Sequence, residues 1–391
     1  MRILQIATKV PYPLKDGSRV GIFNLTKQYL KHGGEVHFAA PVDDEIVDPR
    51  FTSMVSFTPL PKIKGYSVAG GIRNLFGSLP YNMERYFDRS GLDKLREVYR
   101  KGSFDFIHID HLHMAPYGLE LKKEYGAKVV LREHNFESDI MGRVSEHIDN
   151  PFVSMYAGLQ HSRMLKFESG ILSKVDLVLP ISGIDEKKMS GLVPGMKSIV
   201  VPAGVDFEKF VTSSSSEPNR VLFLSSFDWL PNIDSFRFYM KKILPRLRAI
   251  APHITTIIAG KATDKLASSE IGEGCEVVGY IDDFNRFASM ASIAVIPLRI
   301  GSGIRIKLLE LMALGMAVVS TSVGAEGIDI EDGKHLLLAD SAEEFAEKIF
   351  YLSKSPDVVR ELGKNARKLV SEKYTWESVG NKLIDACRTI L

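Results

Sequence analysis

The sequence predicts an α/β protein built as two units, each a parallel sheet with helices on both faces. Three observations carry that expectation. Short apolar runs alternate with longer amphipathic segments, the strand–helix–strand order that parallel sheets require. The pattern pauses at a polar, serine-rich stretch, VTSSSSEPN at 211–219, and then restarts. The 391 residues also exceed the usual content of one domain, about 100–200 residues.

Residues 2–7 (RILQIA) read as a buried strand. A glycine-bearing turn, Lys15-Asp16-Gly17-Ser18, leads into a helix over 20–32 with Ile22, Leu25 and Tyr29 on one face, ended by Gly33-Gly34. Strands are predicted at 36–40, 106–109, 128–131 and 177–180, with helical stretches between them. After the serine-rich stretch come a strand at 220–224, a helix at 233–249 and strands at 254–259 and 293–298. A helix at 306–314, a strand at 317–320 and a last amphipathic helix from Trp376 complete the chain. The expected organisation is an N-terminal domain over 1–205, a linker over 206–219, a second domain over 220–373 and a terminal helix over 374–391 packing back toward the first domain.

Composition excludes several classes. Hydrophobic residues make up 45% and charged residues 25%, the balance of a globular protein with substantial cores. Lys plus Arg total 50 against 48 for Asp plus Glu, so nonspecific nucleic-acid binding is not expected as the main role. Cys275 and Cys387 are the only cysteines, too few for a disulfide framework or a cysteine-rich zinc site, and suited to a reducing, cytoplasmic compartment. The N-terminus has too short an apolar core for a signal peptide, and no apolar run is long enough to span a bilayer. A dinucleotide dehydrogenase is disfavoured because no G-x-G-x-x-G follows residues 2–7 and no acidic residue ends the next strand.

The segment with the most chemistry is 296–321, IPLRIGSGIRIKLLELMALGMAVVST. A strand runs into Gly301-Ser302-Gly303, which opens a helix. Glycines let a ligand approach the backbone, and a helix start offers free N–H groups and positive potential to a phosphate. Arg305 and Lys307 sit at the same end and could add charge-assisted bonds to a diphosphate. Glu310, further along, could accept two ribose hydroxyls; the plainer reading is a helix salt bridge.

These words closely resemble the donor segment of family-4 glycosyltransferases, which have the GT-B fold. They comprise Pro297-Leu298, Gly301-Ser302-Gly303, Lys307-x-x-Glu310, Met312-Ala313, Gly315, Val318-Val319-Ser320-Thr321 and Gly324-Ala325-Glu326-Gly327. The resemblance extends to FDWLPNID at 227–234, to PAGVD at 202–206 with Ala203 where the family has Asn, to Pro11-Tyr12-Pro13 with Asp16-Gly17-Ser18-Arg19, and to Tyr374-Thr375-Trp376. It implies two Rossmann-like domains facing across a cleft, and retaining transfer of a sugar from a UDP- or GDP-linked donor without a metal or other cofactor. It implies a glycan, lipid-linked or small-molecule acceptor, in cell-envelope polysaccharide synthesis. A GT-B epimerase and a non-catalytic nucleotide-sugar-binding protein share the architecture and stay as alternatives. The family has two glutamates eight positions apart; Glu310 fills the second place and Ser302 stands at the first. The N–H groups of Gly303 and Ile304, with Ser302, are the expected substitutes. Many members also carry Arg and Lys after the second domain's first strand, where this chain has Ser225-Ser226-Phe227-Asp228, so the diphosphate charge is assigned to Arg305 and Lys307.

His134 ends the strand in KVVLREHN (128–135), where open α/β sheets present ligands. The resemblance puts a histidine here beside the donor sugar; the alternative is a polar strand end. His108, Asp110, His111 and His113 (HIDHLH) read as metal ligands, acceptor-side hydrogen-bonding groups or structural residues, and alternation along a strand prevents all four converging. Gly17 either holds a substrate at a helix start or makes a tight turn. Glu326 either contacts ribose or base or lies in a surface turn. Residues 61–89 interleave Lys62, Lys64, Arg73, Arg85 and Arg89 with Tyr66, Leu75, Phe76, Tyr81, Tyr86 and Phe87. They read either as a surface peripheral to the inner face of a membrane or as solvated helices tucking aromatics inward.

Overall fold

A computed structural model describes residues 1–14, 16–43, 47–146, 151–213, 217, 219–301 and 303–391. The chain forms two compact units, Met1–Ala203 with Val379–Leu391, and Gly204–Ser378. The break thus falls before 206–219, not within it. Phe210 is buried in the second unit's core, its carbonyl accepts from Arg367 Nη1 at 2.8 Å, and Val211 N–H donates to Asn285 Oδ1 at 2.8 Å. A polar composition there marks contact with water, and two apolar side chains, Val205 and Phe210, hold the segment to the unit that follows.

The first unit carries β1 (Arg2–Ile6), β2 (Glu35–Pro41), β3 (Ser56–Leu60), β4 (Phe106–Asp110), β5 (Val129–Glu133) and β6 (Leu177–Pro180) in the order β3-β2-β1-β4-β5-β6. The second carries β7 (Arg220–Leu224), β8 (Thr255–Ala259), β9 (Cys275–Gly279), β10 (Ile293–Ile296), β11 (Ala317–Ser320) and β12 (Leu337–Leu338) in the order β12-β11-β10-β7-β8-β9. All the pairings between these strands are parallel. Both orders are the doubly wound one, so each sheet has a point, between β1 and β4 or between β7 and β10, where connections leave in opposite directions and a crevice opens at the strands' carboxyl ends.

Strands covered on both faces read as continuous apolar runs, which is why the central ones were legible. In the second unit, Leu222, Leu224, Ala294 and Ile296 join one core while Val221, Phe223, Ile293 and Val295 join the other, following the two-residue alternation of a strand. The edge strands β3, β9 and β12 have weaker patterns and were not anticipated. Pro59 is tolerated in β3 because an edge strand can spare an N–H.

The helix expected at 233–249 is interrupted. Residues Leu230–Phe238 and Leu244–Ile250 are α-helical, but Tyr239–Ile243 forms a wider π turn. Pro245 lacks an N–H and would clash with the carbonyl of residue 241, so the ladder widens just before it.

The helix Trp376–Arg388 returns to the first unit through its later residues. Cys387 Sγ lies 3.5 Å from Tyr29 OH, and Asn381 Oδ1 lies 3.1 Å from His32 Nε2. Gly380 has no side chain because Gln28 is in the way: a Cβ would stand 2.3 Å from its Oε1.

The loop after β5 is held by an acid. Glu168, on the helix Pro151–Leu172, accepts the N–H groups of Glu137 and Ser138 at 3.1 and 3.0 Å and the Ser138 hydroxyl at 2.5 Å. It thereby caps the helix Glu137–Glu146. Burial pushes the carboxyls of Glu168 and Glu137 each up to about 7, and that of Glu133 well above the usual range. These groups bind protons more tightly folded than unfolded, so their contribution to stability is full below about pH 4.5 and is lost as pH rises through about 7. Glu168→Gln keeps an acceptor without the charge. Its unfolding free energy relative to the parent is expected to improve steadily from pH 5 to pH 8 in urea titrations; parallel curves would remove the buried acid as the cause.

Candidate functional site

In the first unit, alternation puts Gln5, His108, Asp110 and Arg132 on one face of the sheet, in register as Gln5↔His108 and Asp110↔Arg132. All four are buried. A polar group in a core needs partners, and most atoms of these four have them. Asp110 Oδ2 accepts from Gln5 Nε2 at 2.6 Å, and Gln5 Oε1 accepts from the Thr26 hydroxyl at 2.9 Å. Asp110 Oδ1 lies 3.4 Å from both His108 Nε2 and His134 Nε2. Burial alone would raise the Asp110 carboxyl, but the two imidazoles hold it well below the usual range. An ionised Asp110 assigns the Nε2 protons of both rings. His108 Nδ1 is then an acceptor, matched by the Tyr29 hydroxyl at 2.7 Å, and His134 Nδ1 is an acceptor too. Burial lowers the His134 imidazole, so the ring is neutral near pH 7.

His111 lies just beyond β4 with φ 73° and ψ 141°, a backbone conformation that costs a non-glycine residue about 1–3 kcal/mol. It stacks flat on His134, ring centroids 3.7 Å apart and planes within 1°. Its Nε2 lies 3.1 Å from Ser18 Oγ. Gly17 begins the helix Gly17–Lys31, whose end is capped by the Asp16 carboxylate accepting from Arg19 N–H at 2.9 Å. The HIDHLH cluster therefore divides. His108 and Asp110 serve a buried network, His111 stacks on His134, and His113 packs on Tyr86 at 4.6 Å between centroids. Among the described residues, no group of three or more His, Cys, Asp or Glu is arranged to hold a metal ion.

In the second unit, Gly301 (φ 143°) and Gly303 (φ 77°) turn the chain from β10 toward the helix Ile306–Ala313 in conformations that L side chains rarely adopt. Ser302 lies outside the described residues. No side chain caps that helix, so its first N–H groups face outward for solvent or a ligand. Lys307 crosses to the carboxyl end of β7, donating to the Leu224 carbonyl at 3.1 Å and Ser225 Oγ at 3.2 Å. It thus puts an ammonium where the sequence has no basic residue of its own. Burial and the nearby Arg305 lower it to about 8. Arg305 is buried under the glycine loop and donates to the Gly303 carbonyl at 2.7 Å; a Cβ at Gly301 would stand 2.5 Å from its Nη2. Its guanidinium braces the loop as well as charging it. Glu310, one turn beyond Lys307, is half-buried, and burial raises it to about 7 against the pull of Lys307. Ile304 packs on the core. Glu326 is half-buried in the turn after β11. That turn is tied to the neighbouring loop, because Thr321 Oγ1 donates to the Leu298 carbonyl and accepts Gly324 N–H at 2.9 Å.

The floor of this crevice is made by backbone. Gly260 approaches Ser225 so closely that a Cβ would stand 1.7 Å from the Ser225 carbonyl oxygen. Asn232 Nδ2 donates to the Ser226 carbonyl at 2.8 Å, and Asp234 holds Arg299 through Nε at 3.0 Å. These contacts give FDWLPNID its structural role. Gly303, Ile304, Arg305, Lys307, Glu310 and Glu326 all belong to the second unit, and Gly17 and His134 to the first.

Two family descriptions match the chain. Glycosyltransferase Family 4 covers residues 15–209, and Glycosyl transferases group 1 covers residues 218–355. The chain belongs to this glycosyltransferase family. A curated relative, an uncharacterized 44.6 kDa protein in the cps region of Klebsiella pneumoniae, is 24% identical over 97% of each chain. Sucrose-phosphate synthase from Thermosynechococcus elongatus aligns with a TM-score of 0.73 at 17% identity, over 100% of this chain and 99% of that one. HepE from Anabaena, solved with UDP, aligns at 0.72 and 13% identity over 100% of both. The fold is GT-B.

Asp110 is the residue that the sequence reading left in a cluster without a role. Its signal was a carboxylate closing a central strand, two residues after a histidine on the same face. Asp110→Asn removes the charge that orients His134. It is expected to cut glycosyl transfer on the order of 10–100-fold, as when the group orienting a histidine is removed, with little change in donor Kd. Equal turnover would end this role for Asp110.

Proposed function

We propose that the chain is a retaining, metal-independent glycosyltransferase that moves a hexose from a UDP- or GDP-linked donor to a glycan or lipid-linked acceptor in cell-envelope polysaccharide synthesis. The observation that carries this reading is Lys307. Its ammonium sits beside the end of β7, below an uncapped helix start and a glycine loop, inside the segment most like the family's donor site. The complex of HepE with UDP and the cps-region relative support a UDP-linked donor and an envelope product.

In this mechanism the diphosphate lies against the start of helix Ile306–Ala313. Lys307, Arg305 and the helix start stabilise the negative charge that grows on it, while the loop N–H groups of Gly303 and Ile304, with Ser302, meet hydroxyls of the donor sugar. Glu310 accepts the ribose hydroxyls, and Glu326 adds a contact to ribose or base. Gly17 begins a helix that offers its N–H groups to substrate. His134, neutral and with Nδ1 as acceptor, meets a hydroxyl of the donor sugar. The anomeric carbon–phosphate oxygen bond breaks while the acceptor oxygen bonds to the same face of that carbon. The acceptor's proton passes to the departing phosphate oxygen, so no protein nucleophile is needed. Residues 61–89 bring the enzyme to the cytoplasmic face of a membrane. Among the described residues no helix is long and apolar enough to cross one.

Lys307→Ala and Arg305→Ala are each expected to lower turnover on the order of 10²-fold, the loss of one charge stabiliser. Near-normal rates in both would remove the diphosphate assignment. Glu310→Ala is expected to raise donor KM. The lowered Lys307 sets a pH limit: the cation is present below about 8 and lost above it, so donor Kd should weaken about tenfold per pH unit beyond that point. Lys307→Arg should flatten this limb in calorimetric titrations. Product analysis with and without acceptor separates transfer from epimerisation, and no turnover of any UDP- or GDP-sugar would favour a binding protein.

A further inference from the structure

The first unit has a groove of about 1250 Å³ that the glycosyl-transfer reading does not use. It runs between the 61–89 segment, the helix Ala115–Tyr125 and the helix Pro151–Leu172. None of its lining residues belongs to the Asp110–His134 network. Its size exceeds the roughly 300–1,000 Å³ of an ordinary small-molecule pocket.

The groove has two chemistries. Its floor is apolar, with Met83 and Phe87 from one wall, Leu119 from the second and Phe167 and Ile171 from the third. Its rim is cationic, with six Lys or Arg residues against Glu84 and Glu120. Glu84 is already engaged, accepting from Asn74 Nδ2 at 2.8 Å and facing Arg73 at 3.5 Å. Lys123 and Lys174 are exposed and have no ion-pair partner among the described residues. An apolar trough with spare cations at its edge fits an amphiphile that has a hydrocarbon chain and an anionic head.

The neighbouring surface tells where such a molecule would come from. The two readings of 61–89 divide it. Tyr86 and Phe87 pack onto the first unit's core, while Val68, Ile72 and Phe76 stand out at 83%, 57% and 91% exposure. Met155 on the adjoining helix is 72% exposed. The ridge is held rigidly from below. Asn74 is buried, Arg163 Nη1 donates to its carbonyl at 2.7 Å, and Gln160 Oε1 accepts Tyr81 N–H at 2.8 Å. Lys64, Arg73 and Arg85 lie beside it. Exposed apolar side chains on a fixed support, flanked by cations, match the interface of an anionic bilayer.

We propose that the groove binds an anionic lipid of the bilayer that the 68–76 ridge enters, its hydrocarbon chain on the apolar floor and its phosphate on the cationic rim. This builds on the membrane-contact reading of 61–89 and is independent of the transfer chemistry.

The test uses the full chain and calorimetry with decyl phosphate below its micelle concentration, and octyl glucoside and inorganic phosphate as controls. Decyl phosphate is expected to bind one per chain, at least about tenfold more tightly than either control. Leu119→Trp, which fills the trough, and Lys123→Glu with Lys174→Glu, which reverses surface charge, should each weaken it about tenfold. Equal binding of octyl glucoside, or full affinity in both variants, overturns the groove assignment. In parallel, vesicles of phosphatidylcholine with roughly 30% phosphatidylglycerol should sediment the parent chain. Ile72→Asp with Phe76→Asp should release it while leaving decyl phosphate binding intact. Vesicle binding that survives this variant overturns the bilayer as the lipid's source.

Discussion

The second unit's candidate site is built around a half-buried cation at the carboxyl end of a central strand. Lys307 starts on a helix that follows β10 and ends at the carboxyl end of β7. An ammonium so buried prefers to lose its proton, hence its fall to about 8. It is kept useful by a carbonyl, a hydroxyl and an acid one turn away. Such a group is only partly solvated, so an anion placed beside it would gain more than beside a fully exposed lysine. The strand order creates that setting, because β7 and β10 are neighbours whose connections diverge.

The first unit solves the opposite problem. It withdraws a carboxylate, Asp110, and surrounds it with Gln5, His108 and His134. The network continues through Tyr29 to Cys387 on the terminal helix, so the last residues of the chain stabilise a group formed by its middle. Arg132, beside it, donates through Nη1 and Nη2 to the carbonyls of Val201 and Pro202 at 2.7 and 3.1 Å, and burial lowers it to about 10. Polar side chains at the carboxyl ends of apolar strands are costly unless paired. Of the residues in this network, His134 is the one that keeps partial exposure.

Much of this was legible in one dimension. Central strands betray themselves by continuous apolar runs, and the glycine loop followed by Arg305, Lys307 and Glu310 stands out by local composition alone. The edge strands β3, β9 and β12 were hidden because part of their surface meets water, whereas the edge strand β6 is buried and reads as an apolar run. The π turn before Pro245 was hidden because periodicity alone does not say how a proline will be absorbed. Arg305 reads in the sequence as a cation for phosphate; in the structure its guanidinium donates to the Gly303 carbonyl and braces the glycine loop. The serine-rich stretch looked like a joint, although the chain passes between units at Ala203 and Gly204, where Val205 pairs with Thr375.

The sequence by itself determined the fold class and the family, and it singled out the glycine loop with its neighbouring cations, because each rests on short-range patterns of apolar spacing, glycine and charge. Only the tertiary structure decided which partners those charges have. Asp110 and His134 are far apart along the chain and meet because β4 and β5 are adjacent. Lys307 and Ser225 meet because β10 lies beside β7. Such meetings are set by strand order and register, which no local pattern encodes.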